Sequence, residues 1–215
     1  MLQPEYALFS IDWGDRKMAL ATTTASVPDR RDATRDRLLK AARELFVTRG
    51  YHATRPQDVA RLAGLGQGTF YLYFPDKKAC FVAFVAAARL ELQQYVESRL
   101  PGAVGLAPFF SALIAAMVDY AAEHPGLLRA AMVDVSTIAT DAPDLSQQWA
   151  SEWARILENA MRRGAIDTAY DAEILGALLV GTIGGAVSAS SRGAARDKVI
   201  TNAVRFLKQA LVPVR

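Results

Sequence analysis

Thr34 to Val85 reads TRDRLLKAARELFVTRGYHATRPQDVARLAGLGQGTFYLYFPDKKACFVAFV, and the fold is decided there. Leu38, Ala41, Ala42, Leu45 and Phe46 recur at helical spacing, with Arg37, Lys40, Arg43 and Glu44 on the other faces and Gly50 as a stop. Pro56 suits the first turn of a second helix, where its missing N–H has no intrahelical partner to lose; that helix carries Val59, Leu62 and Ala63 until Gly64-Leu65-Gly66 interrupts it. A third and very short helix is predicted from Gln67 to Phe74. Pro75 ends it, and Asp76 can cap a long helix running to about Arg99.

The third helix shows two different faces. Phe70 and Phe74, four residues apart, can turn toward a small core of Leu45, Phe46, Val59 and Leu62, which leaves Gln67, Gly68, Tyr71 and Leu72 pointing outward. A short helix held from behind in this way can enter the major groove of DNA, with Gly64 and Gly68 letting neighbouring backbone pass closely. Charge supports a nucleic-acid partner. From Asp29 to Lys78 there are eleven Lys or Arg against six Asp or Glu, while the residues on either side are close to neutral. A solvated basic face is the competing explanation of that excess. Gln67 is the candidate base reader, since a glutamine can pair twice with adenine; contact with a phosphate is the competing role.

The whole stretch resembles the TetR family of bacterial regulators. The likeness is carried by Ala41-Ala42, Leu45-Phe46, Gly50-Tyr51, Ala53-Thr54, Asp58-Val59-Ala60, Ala63-Gly64 and Gly68-Thr69-Phe70-Tyr71-Leu72-Tyr73-Phe74, with Lys77 just beyond, all in register. The resemblance implies that Tyr71 and Lys77 hold the DNA backbone, that Tyr73 occupies the position usually held by a phosphate-contacting histidine, and that Thr69 lies at the groove. For Tyr71 and Tyr73, packing within the small module is the alternative. Three departures stand out. Arg55-Pro56 replaces the hydroxyl residue that usually caps the second helix, and Arg55 can supply a longer, charged reach to phosphate. Gly66 replaces a serine cap, and Leu72 places an apolar side chain on the exposed face, where a thymine methyl group could meet it.

The remainder of the 215 residues predicts helices only. With 52% hydrophobic and 22% charged residues the chain has the material for a core. Blocks from Pro108 to Glu123, Pro125 to Ala139, Asp144 to Arg163, Asp171 to Ser191 and Ala195 to Leu211 are separated by His124-Pro125, Ala142-Pro143, Gly164 and Arg192-Gly193. The expectation is an all-α fold of nine helices: a flexible arm over residues 1–30, a helix-turn-helix domain over 31–78, and a six-helix ligand-binding and dimerisation domain over 79–215. Translation beginning at Met18 is an alternative the arm leaves open. The opening residues lack a secretory pattern, the lone Cys80 allows no internal disulfide, and His52 and His124 have no cysteine pair near them. A cytoplasmic protein without metal or cofactor is expected.

Ile174 to Val187 is apolar almost throughout, with Gly176, Gly181, Gly184 and Gly185. It is short for a membrane span and flanked by charges, so no membrane is expected. A homodimer is. Small residues allow close helix approach, and a partner stripe follows at Ile200, Ala203, Val204, Leu207 and Leu211; similar regulators dimerise through their last two helices, which puts Gly181, Gly185, Ile200, Val204 and Leu207 at the interface. Phe109, Phe110, Met117, Tyr120, Met132, Trp149 and Trp153 can line an apolar cavity or simply fill a core, with Asp119, Asp134 and Glu152 as polar anchors or solvated charges. The function read from these features is a repressor released from operator DNA by a small, largely apolar effector. A regulator answering to a protein partner, or to no small molecule, is the alternative. An enzyme is not expected, because no nucleophile-base pair, phosphate loop or metal set is found.

Overall fold

The computed structural model describes residues 30–100, 105–131 and 145–211. They form nine helical segments and no strand: α1 (Arg30–Ala53), α2 (Pro56–Leu62), α3 (Gln67–Tyr73), α4 (Lys77–Glu97), α5 (Leu106–Glu123), α6 (described over 127–131), α7 (Leu145–Arg162), α8 (Ala172–Ser191) and α9 (Arg196–Leu211). The all-helical class follows the sequence reading. The arm before Arg30 lies outside the described residues.

Packing divides the described residues into two units: an amino-terminal one of residues 30–91 with 126–131, and a carboxy-terminal one of residues 92–100, 105–125 and 145–211. The first half of α4 is core to the amino-terminal unit. The Phe46 ring of α1 meets Phe81 edge-on with centroids 5.0 Å apart and lies 5.5 Å from Phe84, all three being buried. Arg43 and Glu91 add an ion pair between α1 and α4.

Within this unit α1 is broken at Gly50, whose φ of 79° is accessible to glycine without the clash a Cβ would bring. The buried Thr54 hydroxyl donates to the Gly50 carbonyl at 2.8 Å and closes the break. Leu38, Ala42, Leu45, Val59, Ala60, Ala63, Phe70 and Phe74 fill the space between the first three helices. Leu62, expected among them, is 44% exposed instead. Val59, Ala60 and Ala63 define the buried face of α2, and Leu62 sits well around the helix from it.

The carboxy-terminal unit is built on α5. Phe109, Phe110, Leu113, Ile114, Ala116, Met117, Val118 and Tyr120 are all buried, so this helix is covered on most of its circumference. Helices α7 and α8 approach closely because both offer small residues: a Cβ added at Gly176 would lie 2.3 Å from the carbonyl oxygen of Ala150. Helix α9 turns Ile200, Leu207 and Leu211 inward. At its start, Arg196 grips Asp119 of α5 through both nitrogens of a fork, Nε to Oδ1 at 2.5 Å and Nη2 to Oδ2 at 2.7 Å. The Tyr95 hydroxyl donates to Glu123 Oε1 at 2.6 Å, and the Arg99 guanidinium lies 3.3 Å from the centre of the Tyr95 ring.

Candidate nucleic-acid interface

Helix α3 has seven residues, too few to persist on its own, so its position must come from packing. Phe70 and Phe74 supply it. Both are buried, with centroids 5.6 Å apart, and the Arg35 guanidinium of α1 stands 5.5 Å from the centre of the Phe74 ring. The turn ahead of α3 is fixed as well. Arg37 of α1 donates through Nη2 to the Ala63 carbonyl at 2.6 Å, satisfying an oxygen that the end of α2 leaves without a helical partner. Gly64, with φ 67°, then reverses the chain, and a Cβ there would crowd the same Arg37 nitrogen at 3.2 Å.

The outward face is the one the sequence indicated. Gln67 and Gly68 are exposed, Tyr71 is 51% exposed and Leu72 is 73% exposed; Thr69 and Tyr73 are half-buried at the edges. Gly68 differs from the expectation of close internal packing. Its φ is not positive, and a Cβ there would meet nothing within 4 Å, so no neighbour within the described residues requires a glycine. Gly66 precedes α3 and Arg55 precedes α2 without side-chain caps, and Arg55 is exposed.

Lys77 has an internal role that was not legible in the sequence. Its ammonium donates to the carbonyl oxygen of Tyr51 at 3.0 Å and lies 3.4 Å from that of His52, with the Tyr51 ring centre 4.2 Å away. Partial burial holds its pKa below the usual lysine value. The residue thus ties the start of α4 to the end of α1, while Asp76 caps α4 by accepting from the Ala79 amide at 2.7 Å, as its place after Pro75 suggested.

Two sets of ring contacts are found among the described residues considered for a ligand. Phe109 and Trp153 come together, with ring centroids 6.3 Å apart. Tyr120 belongs to a second cluster, 5.0 Å from the Tyr95 ring and 4.3 Å from the His124 ring, eleven residues or roughly 16 Å further along α5. Met117 is buried on the same helix and Trp149 is half-buried on α7. Met132 and Asp134 lie outside the described residues. Asp119 is committed to Arg196, whose hydrogen bonds hold the carboxyl below its usual range; it is a structural partner before it is a ligand anchor.

Of the residues assigned to a dimer interface, Gly181 and Gly185 are exposed with nothing within 4 Å of an added Cβ, and Val204 is half-buried. Ile200 and Leu207 are buried inside their own unit. The large apolar groups left outward on these two helices are Ile174 (63% exposed), Leu178 (61%) and Phe206 (59%). Their signal was present: 174, 178, 181 and 185 share one face of α8, and Phe206 lies off the stripe that Ile200, Leu207 and Leu211 form on α9.

Comparison with known proteins places this arrangement. Residues 38–84 match the family described as bacterial regulatory proteins, tetR family. A Bacillus subtilis HTH-type transcriptional regulator, YdgC, is 37% identical over 67 residues, covering 31% of this chain and 34% of the relative, so the likeness spans about a third of that protein's length. The HTH-type transcriptional repressor BepR of Brucella suis is 20% identical over 192 residues, covering 85% of this chain and 92% of the relative. The crystal structure of a TetR-family transcriptional regulator from Pectobacterium atrosepticum is 25% identical, covers 86% of this chain and 97% of its own, and superposes with a TM-score of 0.61. The three-helix module is thus similar in sequence to that of the TetR family of bacterial regulatory proteins, and the helical order of most of the chain is matched by a TetR-family regulator in structure.

Proposed function

We propose that this protein is a cytoplasmic, dimeric repressor that binds operator DNA through α3 and leaves it when a small, largely apolar molecule occupies the carboxy-terminal unit. The observation that carries the proposal is the construction of α3. A seven-residue helix is clamped from behind by Phe70, Phe74, Arg35 and Arg37 so that Gln67, Gly68, Tyr71 and Leu72 face outward from the most basic stretch of the chain. Such a helix suits major-groove readout, with Arg55, Lys77 and Tyr71 available to phosphates beside it and Thr69 and Tyr73 at its edges.

Dimerisation and ligand response rest on the other unit. The exposed Ile174 and Leu178, on the same face of α8 as the bare backbone at Gly181 and Gly185, and the exposed Phe206 of α9 offer apolar surface that a second copy would cover without a membrane, joining four helices in one bundle. For the effector, the Phe109–Trp153 pair favours an apolar compound. Binding that prefers one spacing of the two DNA modules would lower operator affinity by that difference in preference. The test is selection from a random duplex pool with the full-length protein, followed by titration of the complex with lipophilic compounds. An enriched inverted repeat released by such a compound is expected. Enrichment of no sequence would overturn the DNA-binding reading, and release only by charged metabolites would overturn the ligand class.

A further inference from the structure

Leu72 is the most exposed large apolar side chain among the described residues, at 73%, and it stands near the end of α3 on the side away from the buried Phe70. Folding gains little from a leucine there, because its surface stays in water. Gly68 lies one turn earlier on the same face, also without an internal reason for its identity. A glycine inside a helix is less favourable than alanine, and here an alanine methyl would have room. The two residues make a complementary pair: a bare turn that allows close approach, followed by one apolar projection.

The chemistry of the surroundings says what the projection meets. Gln67, Gly68 and the amphipathic Tyr71 flank Leu72, so the apolar point is the size of one side chain rather than a patch, and the unit carrying it has an excess of positive charge. A protein partner would call for a broader apolar surface. Base edges in the major groove carry hydrogen-bonding groups of both kinds but a single apolar feature, the 5-methyl group of thymine. We propose that Leu72 is a specificity-determining residue that reads a thymine methyl group in each half-site, with Gly68 admitting the helix to the depth at which contact is made. The inference rests on the DNA-binding reading above.

Deoxyuridine substitution isolates the claim, since it removes the methyl group and keeps every hydrogen-bonding position of thymine. Duplexes enriched by the full-length protein are resynthesised with each thymine replaced in turn, and affinities are measured for the wild type and for Leu72→Ala. One thymine per half-site should weaken wild-type binding about fourfold when replaced, the effect of leaving one methyl-sized group uncovered, and should not weaken Leu72→Ala further. Equal losses in both proteins, or no thymine that matters, would overturn the role of Leu72 while leaving DNA binding intact. Failure of the wild type to enrich any duplex would instead overturn the DNA-binding reading itself, and this inference with it. Leu72→Ala should unfold at the wild-type temperature, and a large drop would show that the residue supports the fold rather than the readout.

Discussion

Lys77 Nζ lies 3.0 Å from the carbonyl oxygen of Tyr51 and 4.2 Å from the centre of the same residue's ring. One lysine therefore performs a structural task at the junction of α1 and α4, at the position where the family resemblance implies a DNA-backbone contact. An ammonium has three donors, so the internal bonds do not exhaust it. Lys77→Ala should cost about 1–2 kcal/mol of stability through the lost charge-assisted bonds and ring contact. It should also weaken specific and random DNA alike and reduce the salt slope by about one. Thermal unfolding together with binding at several salt concentrations separates the two effects. A full loss of stability with an unchanged slope would make Lys77 a strut only.

Gly68→Ala offers the opposite signature. The added methyl meets nothing within 4 Å, so stability should hold or rise by up to about 1 kcal/mol, from helix propensity and from a less flexible unfolded chain. DNA affinity should fall, because the methyl occupies space the groove requires. A variant more stable than wild type and equally tight on DNA would show that the bare turn serves no close approach.

The glycines of α8 divide by what faces them. Gly176→Val should destabilise the protein by roughly 1–3 kcal/mol or prevent folding, since even its Cβ would overlap the Ala150 carbonyl oxygen. Gly181→Leu should leave the fold of each chain intact, having nothing within 4 Å, yet disrupt the dimer by forcing bulk into a close helix contact. Sedimentation and circular dichroism on the two variants decide the point; a Gly181→Leu protein that remains dimeric would place the interface elsewhere.

Asp119 and Arg196 make a pH-dependent contribution whose sign follows from the direction of the shift. Hydrogen bonding to Arg196 lowers the Asp119 pKa in the folded chain, so the pair stabilises above the ordinary aspartate value of about 3.9 and is lost as pH falls through the lower, folded value. The pair is partly exposed, with side-chain accessibilities of 31% for Asp119 and 47% for Arg196, so solvent screening limits its worth to about 0.2–1 kcal/mol. Asp119→Asn should show this deficit at neutral pH and lose it in acid. A constant difference between the two proteins down to strong acid would contradict the assignment.

Much of the amino-terminal unit was legible because its punctuation is local. Gly50, Pro56, Gly64 and Pro75 mark helix boundaries by backbone chemistry alone, and the four-residue spacing of Phe70 and Phe74 identifies the buried face of α3. What escaped the reading depends on partners distant in sequence. Nothing near Lys77 or Arg37 announces that each reaches a carbonyl 26 positions away. Leu62 was placed inward by its apolarity, though α2 is so short that one step around it changes the exposure. In the carboxy-terminal unit the glycine-rich helix could be seen as a contact surface, but only packing separates Gly176, which meets α7, from Gly181 and Gly185, which do not. The aromatic residues are alike in this: their types do not say that Phe109 meets Trp153 while Tyr120 meets Tyr95.

The central claim, that α3 reads base sequence, is tested most directly by comparing Gln67→Ala with wild type on the enriched duplex and on a scrambled duplex of equal length. A base-edge contact discriminates between sequences and a phosphate contact does not. The variant should lose roughly 1–3 kcal/mol of binding to the enriched duplex and remain close to wild type on the scrambled one. Equal losses on both duplexes would contradict the account and make Gln67 a backbone contact.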